Sequence, residues 1–125
     1  MNIDNEILVG LINTKHSPIV VCDLDYRIIF MNTYANEKYE SRGGEKLIGQ
    51  LIGNYTSIEG MTKLDMIIEW FKENNDKDKV FCYHVDENNT EVYLVAIRNE
   101  KRELIGFSSM HECREPETMP GYVID

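Results

Sequence analysis

Residues 18–32, Pro-Ile-Val-Val-Cys-Asp-Leu-Asp-Tyr-Arg-Ile-Ile-Phe-Met-Asn, constrain this chain more than any other stretch. Two β-branched runs, Ile19 to Cys22 and Arg27 to Met31, flank a polar turn at Asp23, Leu24 and Asp25, which is a hairpin pattern. Asn32 follows as a helix N-cap, its side-chain oxygen suited to the free N–H groups of a first turn. A chain that leaves a hairpin straight into a helix points to an antiparallel sheet with helices packed on it.

The length, 125 residues, suits one domain. A domain of this size buries roughly two-thirds of the surface of its unfolded chain, enough for a core without staples. The formal charge of −9 argues against nucleic acid, where phosphate neutralisation drives binding, and against anionic membrane surfaces. Cys22, Cys82 and Cys113 are widely spaced and odd in number, and the N-terminus has no basic leader, so reduced thiols in the cytoplasm are expected. No apolar run approaches the roughly 18 residues of a membrane span.

Apolar residues Ile3, Ile7, Leu8, Leu11 and Ile12 recur on one face of a helix expected over 3–14. Tyr34, Ala35 and Tyr39 mark a short helix stopped at Gly43-Gly44. A helix is expected over 62–74, with Leu64, Ile67, Ile68 and Phe71 as its stripe and Thr62 and Asp65 as its capping pair. Strands are expected at 79–85, 91–98 and 104–113, the first two joined by a tight turn at Glu87-Asn88-Asn89-Thr90. The expected division is an N-terminal amphipathic helix over 1–16, a domain over 17–114 and a loose tail over 115–125.

Three motifs occur in one order. Pro18, Ile19, Asp23, Asp25, Arg27, Ile28 and Asn32 come first, then Leu47-Ile48-Gly49, then Arg98-Asn99 leading to Leu104-Ile105-Gly106-Phe107. Together they resemble a PAS domain, a small stand-alone bacterial-type sensor, over about residues 17–113. The resemblance implies an α+β fold: a five-stranded antiparallel sheet with helices on one face and an N-terminal helix on the other. It also shows two departures. Arg102 stands where the family usually has glycine, and Cys113-Arg114-Glu115 replaces the usual Asp-Ile-Thr exit.

Strand residues alternate between faces. A tight turn at Asn88-Asn89 would oppose Val85 to Val92, Tyr83 to Leu94 and Phe81 to Ala96. Resemblance to flavin-binding PAS domains places His111 at the position of their flavin-contacting glutamine. By parity the inner face then holds Phe81, Tyr83, Val85, Val92, Leu94, Ala96, Phe107, Ser109 and His111, with Val20 and Cys22 from the first strand. The outer face holds Cys82, His84, Tyr93, Val95, Ile97 and Met110. Both faces are apolar, so both need cover. Ile3, Ile7, Leu8 and Leu11 are the expected cover for Tyr93, Val95, Ile97 and Met110, within one chain or across a homodimer.

The inner face is a candidate small-molecule site. Its strand residues are Cys22, Phe81, Tyr83, Leu94, Phe107, Ser109 and His111. Leu64, Ile67, Ile68 and Phe71 from the long helix and the tyrosines Tyr34, Tyr39 and Tyr55 complete it. The same residues could instead form a filled core. Haem is not favoured, because family members often use a histidine on the long helix and 62–74 has none. Flavin photochemistry is not favoured either, because Asn54-Tyr55-Thr56-Ser57 replaces the cysteine-bearing segment it needs. No ligand cluster suggests a metal: His111 and Cys113 are a close pair, and by parity Cys82 and His84 fall on the opposite face. Cys22 and His111 could approach if their strands are neighbours, but no oxyanion site accompanies them. The expectation is a non-catalytic signal-sensing module that binds a small molecule, a separate signalling protein or both. The alternative is a ligand-free dimerisation or docking module, and a small enzyme is the remote third.

Overall fold

The computed structural model describes residues 4–124. Ile3, one of the expected cover residues, lies outside them. The order is α1 (Asn5–Asn13), β1 (Val20–Asp23), β2 (Ile28–Met31), α2 (Thr33–Lys38), α3 (Ile58–Glu73), β3 (Lys79–Val85), β4 (Thr90–Arg98) and β5 (Leu104–Cys113). Short 3-10 turns at Glu40–Arg42, Gly44–Leu47 and Ile52–Tyr55 fill the α2–α3 segment. The five strands form one antiparallel sheet in the order β2-β1-β5-β4-β3, so β1 and β5 meet at its centre. Residues 114–124 are in neither helix nor strand.

The hairpin forms as read. Asp23 Oδ1 accepts from the N–H of Asp25 at 2.9 Å and of Arg27 at 3.1 Å, closing the turn. Tyr26 takes the left-handed conformation there, with φ 67°. Asn32 is 1% exposed and caps α2. Its Oδ1 accepts from Ala35 N and Ile19 N at 2.9 Å, and its Nδ2 donates to Ser17 O at 2.9 Å. One side chain thus starts a helix and pins the entrance of β1.

The long helix begins earlier than its apolar stripe suggests. Ser57 is the N-cap, accepting from Gly60 N at 3.0 Å, rather than Thr62. Thr62 instead donates to Ile58 O one turn back. Gly60 and exposed Ile58 masked that first turn in the sequence. The stripe itself holds: Ile68 and Phe71 are buried, with Leu64 and Ile67 packed against the core.

Parity along β1, β4 and β5 is as expected. Val20 faces Ser109, Cys22 faces Phe107, Leu94 faces Ser109, Ala96 faces Phe107 and Val92 faces His111. The β3–β4 hairpin is the correction. The loop spans four residues, Asp86 to Asn89, and Asn89 alone is left-handed, so Val85 pairs with Thr90. A bulge between Phe81 and Tyr83 then shifts the register again. Val80 faces Leu94 and joins the core, while Phe81 pairs with Tyr93 on the outer face, ring centroids 5.7 Å apart, and is 52% exposed. Tyr83 pairs with Val92, so it shares the face of His111, but at 52% exposure it lies beyond the packed region.

Tyr93, Val95, Ile97 and Met110 are half-buried on the outer face. Full burial of the α1 stripe is not reached: α1 buries no residue, and Ile7 and Leu11 are 60% and 62% exposed. The C-terminal end of α1 is tied to α2 through Asn13 Oδ1, which accepts from Thr33 N at 3.3 Å.

Gly106 shows how tightly β1 and β5 approach. A Cβ there would sit 2.6 Å from the backbone oxygen of Cys22. Gly106→Ala should therefore cost about 2–3 kcal/mol, measured by urea unfolding, since the backbone of a central strand must move. A loss below about 0.5 kcal/mol, within the range of an ordinary surface substitution, would show that the two strands separate easily.

Candidate cavity beneath the helical segment

A cavity of about 230 Å³ lies on the inner face of the sheet. Its sheet-side wall is Val20 and Cys22 from β1, Ile28 and Met31 from β2, Leu94 from β4, and Phe107 and Ser109 from β5. The opposite wall is Tyr39 at the end of α2, Arg42 and Leu47 from the 3-10 turns, Ile52, Tyr55 and Thr56, and Leu64 from α3. The glycines after Arg42 let the chain turn back over the sheet: Gly43 has φ 122° and Gly44 φ 55°. Gly44 N donates to Tyr39 O at 2.9 Å, which fixes Tyr39 and Arg42 on one tight turn.

The lining is mostly apolar, and Arg42 is its one charged side chain. Thr56 gives its hydroxyl to Ile52 O at 3.0 Å. Arg42, Tyr39, Tyr55 and Ser109 make no side-chain hydrogen bond to other described residues. Burial, aided by the charge of Asp23, pushes the Cys22 thiol up to about 12, so it remains a neutral thiol in the wall.

Seven of the fourteen residues expected to contact a ligand line this cavity: Cys22, Tyr39, Tyr55, Leu64, Leu94, Phe107 and Ser109. Ile68 and Phe71 are spent on the core instead, and Ile67 packs against it. The Tyr34 hydroxyl meets His16 Nδ1 at 2.6 Å. Phe81, Tyr83 and His111 are not in the lining. Sequence reasoning missed Arg42, Ile52 and Thr56, which lie in segments without a period. It also left Ile28, Met31 and Leu47 out of the site, although the motifs contain Ile28 and Leu47.

No protein-family model matches the chain, and no curated protein matches it. Solved structures do. A C-terminal domain from Streptococcus mutans superposes with TM-score 0.67 at 16% identity, covering 89% of this chain and 85% of that one. A PAS domain from Colwellia psychrerythraea superposes with TM-score 0.55 at 20% identity, covering 86% and 96%. A sensory box sensor histidine kinase from Vibrio cholerae gives 0.53 at 17%, covering 86% and 90%. The chain has the PAS fold.

Within that PAS fold, both departures noted in the sequence have a structural counterpart. Arg102, at the usual glycine, holds φ 66°. Its guanidinium donates to Asn75 O at 2.9 Å and to Asp78 Oδ1 at 2.5 Å, contacts a glycine could not make. The Arg102 hydrogen bond is the main reason the Asp78 carboxyl lies below its ordinary value. At the exit of β5, Arg114 bonds Glu91 Oε1 at 3.2 Å and the Tyr93 hydroxyl at 2.5 Å, holding the chain against β4.

The PAS sheet also separates Cys22 from His111. β1 and β5 are neighbours, but Cys22 pairs with Phe107, and His111 lies four residues on, about 13 Å along the strand. The two do not form a reactive pair. Burial, with Lys38 nearby, holds His111 below its ordinary value.

A second link crosses the PAS core. The Tyr26 ring packs edge-on against Phe107 with centroids 5.7 Å apart, and its hydroxyl donates to Asp65 on α3. Burial and that bond raise the Tyr26 pKa. The cavity residue Phe107 is thereby linked to the long helix.

Proposed function

We propose that this chain is a non-catalytic sensing module. It takes a small molecule into the inner cavity and passes its occupancy to a second copy or a separate signalling protein. The cavity carries the reading: about 230 Å³ of space, apolar walls and a few polar groups free of protein partners. Occupancy acts on signalling only through a different affinity for two arrangements of the chain. The route to the surface follows from the sheet. Leu94 and Ser109 face the cavity, and their strand neighbours Tyr93, Val95 and Met110 face outward, half-buried, on the surface a partner would cover. The three free cysteines and the lack, among described residues, of a helix able to cross a membrane fit the cytoplasm as the site of action.

Haem and flavin are not part of the proposal. α3 carries no histidine, and His111, the flavin-position residue, stays outside the cavity wall.

A second reading is a ligand-free homodimer or docking module. Exposed Ile7 and Leu11 on α1, with Phe81 at the sheet margin, favour it, because apolar groups left in water mark association surfaces.

Native mass spectrometry of the chain purified without denaturation separates the two. The sensing reading predicts a retained mass that disappears in Ser109→Phe, where the added ring fills the cavity. A chain of bare mass that also takes up nothing from a metabolite extract would leave the docking reading alone.

A further inference from the structure

We propose that the ligand of this cavity is a small monocarboxylate with a short apolar tail, its carboxylate held by Arg42. The inference rests on the cavity being the ligand site and adds the chemical class. Arg42 is the sole charge in the lining and has no ion-pair partner among the described residues. Lys15, Arg27, Lys38, Lys46 and Lys101 also lack an ion pair among the described residues, so what sets Arg42 apart is its place in the cavity lining.

The other free groups agree with an acceptor ligand. The hydroxyls of Tyr39, Tyr55 and Ser109 each can donate, and a carboxylate offers about four lone-pair sites to receive them. A guanidinium presents a planar fork that matches a carboxylate with two parallel bonds. One cation balances one negative charge, which favours a monoanion over a phosphate dianion. The remaining wall, with Leu64 and Leu94 on its two sides, is apolar and suits an alkyl or aryl tail. At about 230 Å³ the space falls below the roughly 300 Å³ where drug-sized sites begin, so the tail is short.

Arg42 sits where its charge costs little in the empty chain. It is exposed, and its turn is set by backbone bonds, Arg42 N to Tyr39 O at 2.9 Å and Gly43 N to Glu40 O at 3.0 Å. Its side chain makes no internal bond, so Arg42→Gln should leave the melting temperature unchanged.

The test is calorimetric titration of the full chain, passed over hydrophobic resin to strip retained compounds, with hexanoate and hexanamide as probes. The two share a tail and differ in charge. Hexanoate should bind at least tenfold tighter than hexanamide, and Arg42→Gln should lose that preference. Equal binding of the two probes, or an Arg42→Gln chain that still prefers hexanoate, overturns the carboxylate assignment and leaves the cavity reading standing. Binding of neither probe overturns the assignment too. The retained mass and its loss in Ser109→Phe then decide the cavity reading separately.

Discussion

Arg98→Met should lower the unfolding free energy by about 2–4 kcal/mol, because it deletes a buried guanidinium whose hydrogen bonds tie the end of α3 to β4. The Arg98 side chain is 3% exposed. Its Nη2 donates to Phe71 O at 2.8 Å, Asn74 O at 3.2 Å and Lys77 O at 2.9 Å, backbone carbonyls at the end of α3 and along its exit, of which Asn74 O also accepts from Lys77 N at 3.0 Å. Nε reaches Asp78 Oδ1 at 3.2 Å and Nη1 reaches Arg102 O at 3.3 Å. One residue on β4 therefore stops α3, holds the α3–β3 connection and braces the β4–β5 turn. Methionine keeps much of the volume and none of the donors. Phe71 is fully buried, and orphaning a buried acceptor such as its carbonyl costs about 1–3 kcal/mol, a large share of the roughly 5–15 kcal/mol that holds a domain together. Arg98→Lys retains the charge without the fork and should recover less than half of the loss. Urea unfolding with constant m-value is the measurement, and a change below about 1 kcal/mol for Arg98→Met would show that water replaces these bonds freely.

Asn32→Ala should cost about 2–4 kcal/mol, more than a surface N-cap, because it strands two buried N–H groups and one carbonyl. Ile19 N and Ala35 N lose their shared acceptor, and Ser17 O loses its donor. The α2 helix has six residues and depends on its cap to start. Asn32→Asp keeps the acceptor for both N–H groups but turns a carboxylate toward Ser17 O, so it should fall between the wild type and Asn32→Ala. If Asn32→Ala unfolds within about 0.5 kcal/mol of the wild type, the hairpin and helix are held by packing alone.

The sequence made the parity of β1, β4 and β5 legible because residues 20–23, 90–97 and 106–113 pair across the β1–β5 and β4–β5 seams in unbroken register. That alone was enough to place Cys22, Leu94, Phe107 and Ser109 on one face. It failed on β3 for a local reason. A four-residue loop with a single left-handed residue looks like a tight Asn-Asn turn, and the bulge near Cys82 leaves no mark in an all-apolar run. Phe81 therefore lies on the outer face, and Val80 takes the inward position. Ile68 and Phe71 illustrate another limit: a helical stripe announces burial, but not which members fill a core and which border a void. Arg42 was invisible for the opposite reason. Its 3-10 turn has no period, and only three-dimensional closure over Gly43 and Gly44 brings it to the cavity.

The account depends on real space between the sheet and the segment led by Tyr39, Leu47 and Leu64. Methyl-resolved NMR of the full chain, stripped of retained compounds over hydrophobic resin, under a few atmospheres of xenon tests this directly, because xenon enters empty apolar cavities. The account predicts shifts at the methyls of Val20, Leu47, Leu64 and Leu94, with Val95 and Ile97 unmoved. Shifts confined to Val95 and Ile97, or none at all, would contradict it.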